Sequence, residues 1–179
     1  MRIRCSIAWV VAVMVAVSAI TVQAAGPKGP SIVDVAIDLN TDTNSPYEGV
    51  FDILIEAVLA ADPVVFATLD GNGQHTVFAP TDDAFEAAGI TTNNIGSIDK
   101  DYLTDVLLYH VVRGRRYDNQ ILASSYIRTR LGFFLMQDSG VLTDALGGEA
   151  NIIVTNVEAA NGIIHAIDAV VLPYIVPAP

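Results

Sequence analysis

The sequence holds a single cysteine, Cys5, placed ahead of an apolar run near the N-terminus. The rest of the chain therefore has no disulfide, no thiolate metal site and no sulfur nucleophile. Basic residues are nearly as scarce: nine lysines and arginines face 20 acidic residues, for a formal net charge of −11. A surface of that sign repels nucleic acid and anionic lipid, so neither is expected as a partner. The three histidines stand far apart and lack the spacing of a zinc site. No Gly-x-Ser-x-Gly elbow and no phosphate-binding glycine loop occurs. Acid pairs such as Asp82-Asp83 sit where a helix starts rather than as a convergent catalytic pair. These absences leave no catalytic residue, metal site or cofactor to expect. There is also no Asn-x-Ser/Thr acceptor site for glycosylation.

What is present begins with an export signal. Arg2 and Arg4 precede an apolar run over residues 7–17, and Val22-Gln23-Ala24 supplies the small residues of a cleavage site. A membrane-spanning anchor needs about 20 predominantly apolar residues. This run is shorter and gives way to Ser18, Thr21 and Gln23. Cleavage after Ala24 is expected, with a secreted or periplasmic product that has no membrane anchor. Cys5 lies on the wrong side of the run to carry a lipid. The remaining 155 residues, with 7 basic against 20 acidic side chains, carry a formal charge of −13. That length suits one domain with its own core and no cross-links. The expected division is a Gly/Pro leader over 25–30, a folded domain over 31–173 and a short tail over 174–179.

The first half reads as helices. Ser31 can cap a helix with Asp34 in its first turn, and residues 38–48 are turn formers. Phe51, Leu54, Ile55, Val58 and Leu59 recur at helical steps. Asp62-Pro63 can start another helix, to end at the turn formers over 70–73. A short strand runs from His75 towards Pro80, and Thr81 can cap a helix carrying Asp82 and Asp83 in its first turn. A further helix from Asp99 to near Gly114 carries Leu103, Val106, Leu107 and His110 along one face. The last third is rich in β-branched and aromatic residues, over 127–136, 151–157 and 163–172, with Asn161-Gly162 as a hairpin signal. Helices first and strands after make the class α+β.

Three segments carry a family resemblance. Residues 76–85, Thr-Val-Phe-Ala-Pro-Thr-Asp-Asp-Ala-Phe, and residues 107–112, Leu-Leu-Tyr-His-Val-Val, precede residues 161–173, Asn-Gly-Ile-Ile-His-Ala-Ile-Asp-Ala-Val-Val-Leu-Pro. In that order and spacing they resemble the two boxes and the central tyrosine–histidine motif of the fasciclin domain family. Arg113 stands where that family often has proline. The resemblance implies a wedge-like β-sandwich with several helices around it. It also implies a role in adhesion, matrix or surface binding rather than catalysis, with Thr81, Asp82, Tyr109, His110, Asn161, His165 and Asp168 as the motif residues.

Two roles are open for Tyr109-His110. In animal relatives the motif is linked to receptor binding. Yet His110 falls on an apolar stripe, which favours a buried ring bonded to a backbone carbonyl or to the second box. His165 alternates with Ile163 and Ile167 and reads as a core histidine. Asp168 needs a partner if buried, such as a backbone N–H or Thr81. The alternating oxygens of Asp38, Asn40, Asp42 and Asn44 suggest calcium, but Thr43 replaces the turn glycine and Gly49 the final acid, so a turn-rich connector is expected. Arg113, Arg115, Arg116, Arg128 and Arg130 form a basic cluster in an acidic chain. They could hold a surface protein, an acidic polysaccharide or a second copy, or they could pair with the chain's own acids. A second functional class, a carrier of a small apolar ligand such as a carotenoid or lipid, draws on the apolar run over 133–136, whose alternative is an ordinary buried strand.

Overall fold

The computed structural model describes residues 29–174. The expected export signal and the last five residues lie outside them. Four helices and one strand come first: α1 (Ile32–Thr41), α2 (Asp52–Ala60), α3 (Pro63–Asp70), β1 (His75–Pro80) and α4 (Asp82–Ala87). Then follow α5 (Lys100–Tyr109), β2 (Val111–Arg113) and α6 (Asp118–Leu122), and after them β3 (Tyr126–Arg128), β4 (Phe134–Asp138) and β5 (Val141–Thr143). The chain closes with β6 (Glu149–Ala159) and β7 (Gly162–Ile167). The class is α+β, as the sequence predicts.

Local chemistry explains the helix starts. Ser31 accepts from the Asp34 N–H while the Asp34 carboxylate accepts from the Ser31 N–H, a reciprocal cap. Asp62 caps α3 with Pro63 at its first position, and Asp99 caps α5. Three expectations change at element ends. Helix α1 continues to Thr41, into the predicted loop. Helix α5 stops at Tyr109, because residues 111–113 leave it to pair with β1. Residues 127–136 are not one strand but two, β3 and β4, joined by a turn. Ser139 and Gly140, both at positive φ, make the tight β4–β5 turn.

The seven strands form one sheet in the order β2-β1-β7-β6-β5-β4-β3. The first strand lies parallel to the last, and every other pairing is antiparallel. Long strand β6, bulged twice, passes from one half of the sheet to the other, so the halves fold face to face as a sandwich. An isolated bridge between Val112 and Thr129 ties the two outer strands together.

Two cores result. One lies between the helices and the first half of the sheet and includes Phe51, Leu54, Val65, Phe85, Leu103, Val111 and Ile164. The other lies between the sheet halves and includes Phe78, Tyr109, Val112, Ile127, Leu135, Leu142 and Ile167. Strands β1 and β7 are covered on both faces, which is why all twelve of their residues are buried.

Candidate binding surface

The residues of the three sequence boxes are joints of the fold. Thr81 caps α4 through the Ala84 N–H. Asp82, next to it, reaches across to the start of α2 and accepts from the N–H groups of Asp52 and Ile53, at 3.1 and 2.9 Å. One dipeptide therefore caps two helices. Burial pushes the Asp82 carboxyl up, and these two backbone bonds pull it back down.

Tyr109 is fully buried in the inter-sheet core, and its hydroxyl donates to the Phe134 carbonyl at 3.0 Å. Burial is the main cause that raises its phenol above the ordinary value. His110 is 2% exposed. The Val171 N–H, in the second box, donates to its Nε2 at 3.2 Å. That leaves Nδ1 to carry the proton and donate to the Val106 carbonyl, 2.8 Å away. His165, 0% exposed, has the opposite tautomer. Its Nδ1 accepts from the Asn156 N–H, so Nε2 donates to the Arg116 carbonyl at 2.9 Å. Both rings are held neutral, and burial lowers both below the ordinary histidine value, His110 to about 4. Neither ring can meet a partner without losing a backbone bond.

Asn161 is fully buried and makes three side-chain bonds. Its Oδ1 accepts from the Ile32 N–H, and its Nδ2 donates to the carbonyls of Leu69 and Gly71. The start of α1, the end of α3 and the β6–β7 turn meet at this side chain. Strand β7 ends at Ile167, so Asp168 turns to solvent. It accepts from the backbone and side-chain nitrogens of Asn151, and Thr81 is not its partner. Sequence reasoning missed Asp144, a buried carboxylate that accepts from the N–H groups of Leu146, Gly148 and Leu172. Its surrounding turn residues looked ordinary, and its long-range partner at Leu172 left no local signal.

The calcium loop does not converge. Asn40 is turned inward to the Phe51 N–H and the Asp52 carboxylate, and Asp42 bonds Asn44 within its own turn. Among the described residues no group of three or more His, Cys, Asp or Glu side chains could hold a metal ion.

The arginines divide. Arg115 donates to the carbonyls of Ala159 and Gly162 at the β6–β7 turn, so its guanidinium serves the fold. Arg116 is half-buried, and its backbone N–H and carbonyl bond Thr76 and His165. Arg113 and Arg128 are exposed, and Arg130 is half-buried. The bridge from Val112 to Thr129 sets Arg113 beside Arg128.

Next to these three arginines lies the outer face of the β3–β4 hairpin. Ile127, Leu135 and Gln137 point into the sandwich, so Tyr126, Phe134 and Met136 point out, 64%, 54% and 46% exposed. Across the hairpin Tyr126 pairs with Met136, and Arg128 pairs with Phe134. The run over 133–136 is therefore not a buried strand: Leu135 is buried, and Phe133, Phe134 and Met136 are exposed.

A separate apolar cavity of about 90 Å³ lies under α1, α2 and α3, against β1. Ile32, Ala36, Leu54, Val58 and Leu69 line it, and Ile37, Leu59 and Phe66 are exposed at its mouth. No helix among the described residues is long and apolar enough to cross a membrane.

Comparison with known proteins matches this architecture. Protein sll1483 of Synechocystis is 37% identical over 161 residues, 87% of this chain and 81% of its own. Cell surface glycolipoprotein MPB83 of Mycobacterium bovis is 28% identical, over 84% of this chain and 68% of its own. Transforming growth factor-beta-induced protein ig-h3 of Sus scrofa is 33% identical over 128 residues, 70% of this chain but only 18% of that protein. The solved FAS1 domain pair of the insect cell adhesion molecule Fasciclin I shares the fold, with a TM-score of 0.52 at 20% identity, over 65% of this chain and 43% of that one. The Fasciclin domain model matches residues 49–173, which include all three boxes, and this chain belongs to the fasciclin domain family.

Proposed function

We propose that this chain is an exported, non-catalytic surface-binding module of the adhesion type, and that it holds its partner through the outer face of β3 and β4. Residues 1–24 are read as its export signal, and residues 31–173 as the binding domain. The observation that carries the reading is the outward set of Tyr126, Phe134 and Met136 beside Arg113 and Arg128. Tyrosine, phenylalanine, methionine and arginine are the side chains enriched where proteins meet partners. The motif residues, by contrast, are occupied in holding the fold. The name of the mycobacterial relative places that protein at a cell surface, which agrees with this reading.

One such face gives one contact, so firm attachment needs several copies displayed together. The test is retention of the purified protein on its own host's cells and extracellular matrix. Tyr126→Ser with Phe134→Ser should abolish retention, whereas Leu59→Ser on the helical side should not. Equal retention of both variants would remove the hairpin face from the account.

A carrier of a small apolar ligand is the second reading, and the cavity under α1–α3 is what favours it. Its lining is apolar apart from His110, whose ring nitrogens both have backbone partners. Size ranks it second: a dry cavity of about 150 Å³ is what accepts a benzene ring, and this one is about 90 Å³. It would take a chain end rather than a whole ring. Native mass spectrometry with an absorbance spectrum, on protein from its own host, tests this reading. A bound apolar molecule at fixed stoichiometry would put it first.

A further inference from the structure

Two cross-strand registers put three cationic or titratable side chains in a row. His75 of β1 lies opposite Arg113 of β2, and the Val112–Thr129 bridge puts Arg113 opposite Arg128 of β3. Val111 packs in the helix-side core and Val112 in the inter-sheet core, so Arg113 points away from the sandwich interior. His75 and Arg128 share that side, and the charge of Arg130, in the turn that follows Thr129, acts on the His75 ring. Phe134, across from Arg128, continues the row onto the β4 face.

The row is unfinished as it stands. Like charges directly opposite one another across strands repel, and among the described residues no side-chain bond joins Arg113, Arg128 or Arg130 to a carboxylate. His75 is 6% exposed, and its Nδ1 is buried with no hydrogen-bond partner. The other two histidines fill both ring nitrogens with backbone groups. The His75 ring presses against Gly73, where an added Cβ would come within 2.6 Å of its Cε1. Burial first, and then Arg130, hold the imidazole below its ordinary value.

We propose that this row is a carboxylate site for an acidic polysaccharide, with a uronate group on Arg113, Arg128 and Arg130 beside His75 and its sugar ring against Phe134 and Tyr126. The proposal rests on the outer-face reading above and names the partner class for it. Arginine forks match a carboxylate in pairs of parallel bonds, and an anion would offset the cross-strand repulsion. A uronate carries its acid on the ring itself. A ring packed on Phe134 therefore puts the acid one strand spacing away, about 4.8 Å, at Arg128. An acidic peptide carries its acids on flexible stems and has no flat apolar face between them.

The experiment is calorimetry of the purified protein at low ionic strength with hexagalacturonate. Neutral maltohexaose, inorganic sulfate and hexaglutamate are the comparison ligands. Hexagalacturonate should bind, and maltohexaose should not. Arg113→Gln, Arg128→Gln and Phe134→Ala should each weaken binding about tenfold. All three positions are exposed, so the variants should fold, and an unchanged thermal midpoint checks this. The His75 Nδ1 resonance should shift on binding. Absence of hexagalacturonate binding at millimolar concentration, binding indifferent to both arginines, or sulfate as good a ligand as the oligosaccharide would overturn the proposal. Hexaglutamate binding as tightly would also overturn it, in favour of an acidic protein, while leaving the outer-face reading intact. That reading fails separately, if the Tyr126 and Phe134 variants stay on cells and matrix.

Discussion

His110 makes this fold sensitive to acid, and the size of the effect follows from its surroundings. Its Nε2 faces the Val171 N–H, so a proton added there would set two donors against each other. Burial is the main cause that lowers its value from 6.5 to about 4, while the Val106 bond and the Asp144 charge act the other way. The unfolded chain takes up the proton first as the pH falls. The stabilisation is therefore complete above the unfolded value and is lost as pH falls towards the folded one. At about 1.4 kcal/mol per pH unit, the whole interval is worth about 3 kcal/mol, and most of it is gone by about pH 4.5. That is a large part of the 5–15 kcal/mol of an ordinary domain, roughly a fifth to three fifths. The assay is urea unfolding of the wild type and of His110→Gln, which keeps a donor and an acceptor but does not titrate. Acidic side chains titrate in both proteins and cancel in the difference. The stability gap between the two should narrow by about 2 to 3 kcal/mol from about pH 7.5 to about pH 4.5. A gap constant to about 0.5 kcal/mol would refute the reasoning.

Asn161→Ala should cost about 3 kcal/mol in urea unfolding, because it strands the buried Ile32 N–H and the carbonyls of Leu69 and Gly71. Gly162→Ala should lower the thermal midpoint or prevent folding, since a Cβ there would overlap the His75 carbonyl and the Ile32 side chain. Arg115→Leu should destabilise the domain by about 1–3 kcal/mol through the carbonyls of Ala159 and Gly162, without changing surface retention once folded. Tyr126→Ser with Phe134→Ser should do the reverse, leaving stability within about 0.5 kcal/mol while retention is lost.

Signals carried by a few neighbouring residues were legible in the sequence. Ser31 with Asp34, Asp62 with Pro63, and Thr81 with Asp82 each mark a helix start, and each sits at one. Only half of the Asp82 role could be read locally, because its cap on α2 joins residues 30 positions apart. The strands β2, β3 and β5 are three residues each. Pairing holds such short pieces in place, and propensity could not mark them. The parallel contact of β1 with β7 leaves no trace in either segment.

The candidate surface was half legible for the same reason. Arginine clustering showed that a basic patch could form. Only the Val112–Thr129 bridge and the bond from Arg115 to Ala159 sort the exposed arginines from the structural one. Residues 133–136 read as one apolar run. Only Leu135 of the four turns inward, and the sequence could not tell which residues would stay exposed. His75 was read only as the first residue of a strand, and the register with Arg113 is what sets it among the arginines.

The central claim is that contact with the native surface is made by the hairpin face and not by the helical side. Hydroxyl-radical footprinting of the protein free and bound to its host's matrix reads both places at once. Tyr126, Phe134 and Met136 should lose reactivity on binding while Leu59 and Phe66 keep theirs. Protection of Leu59 and Phe66, with Tyr126 and Phe134 still reactive, would contradict it.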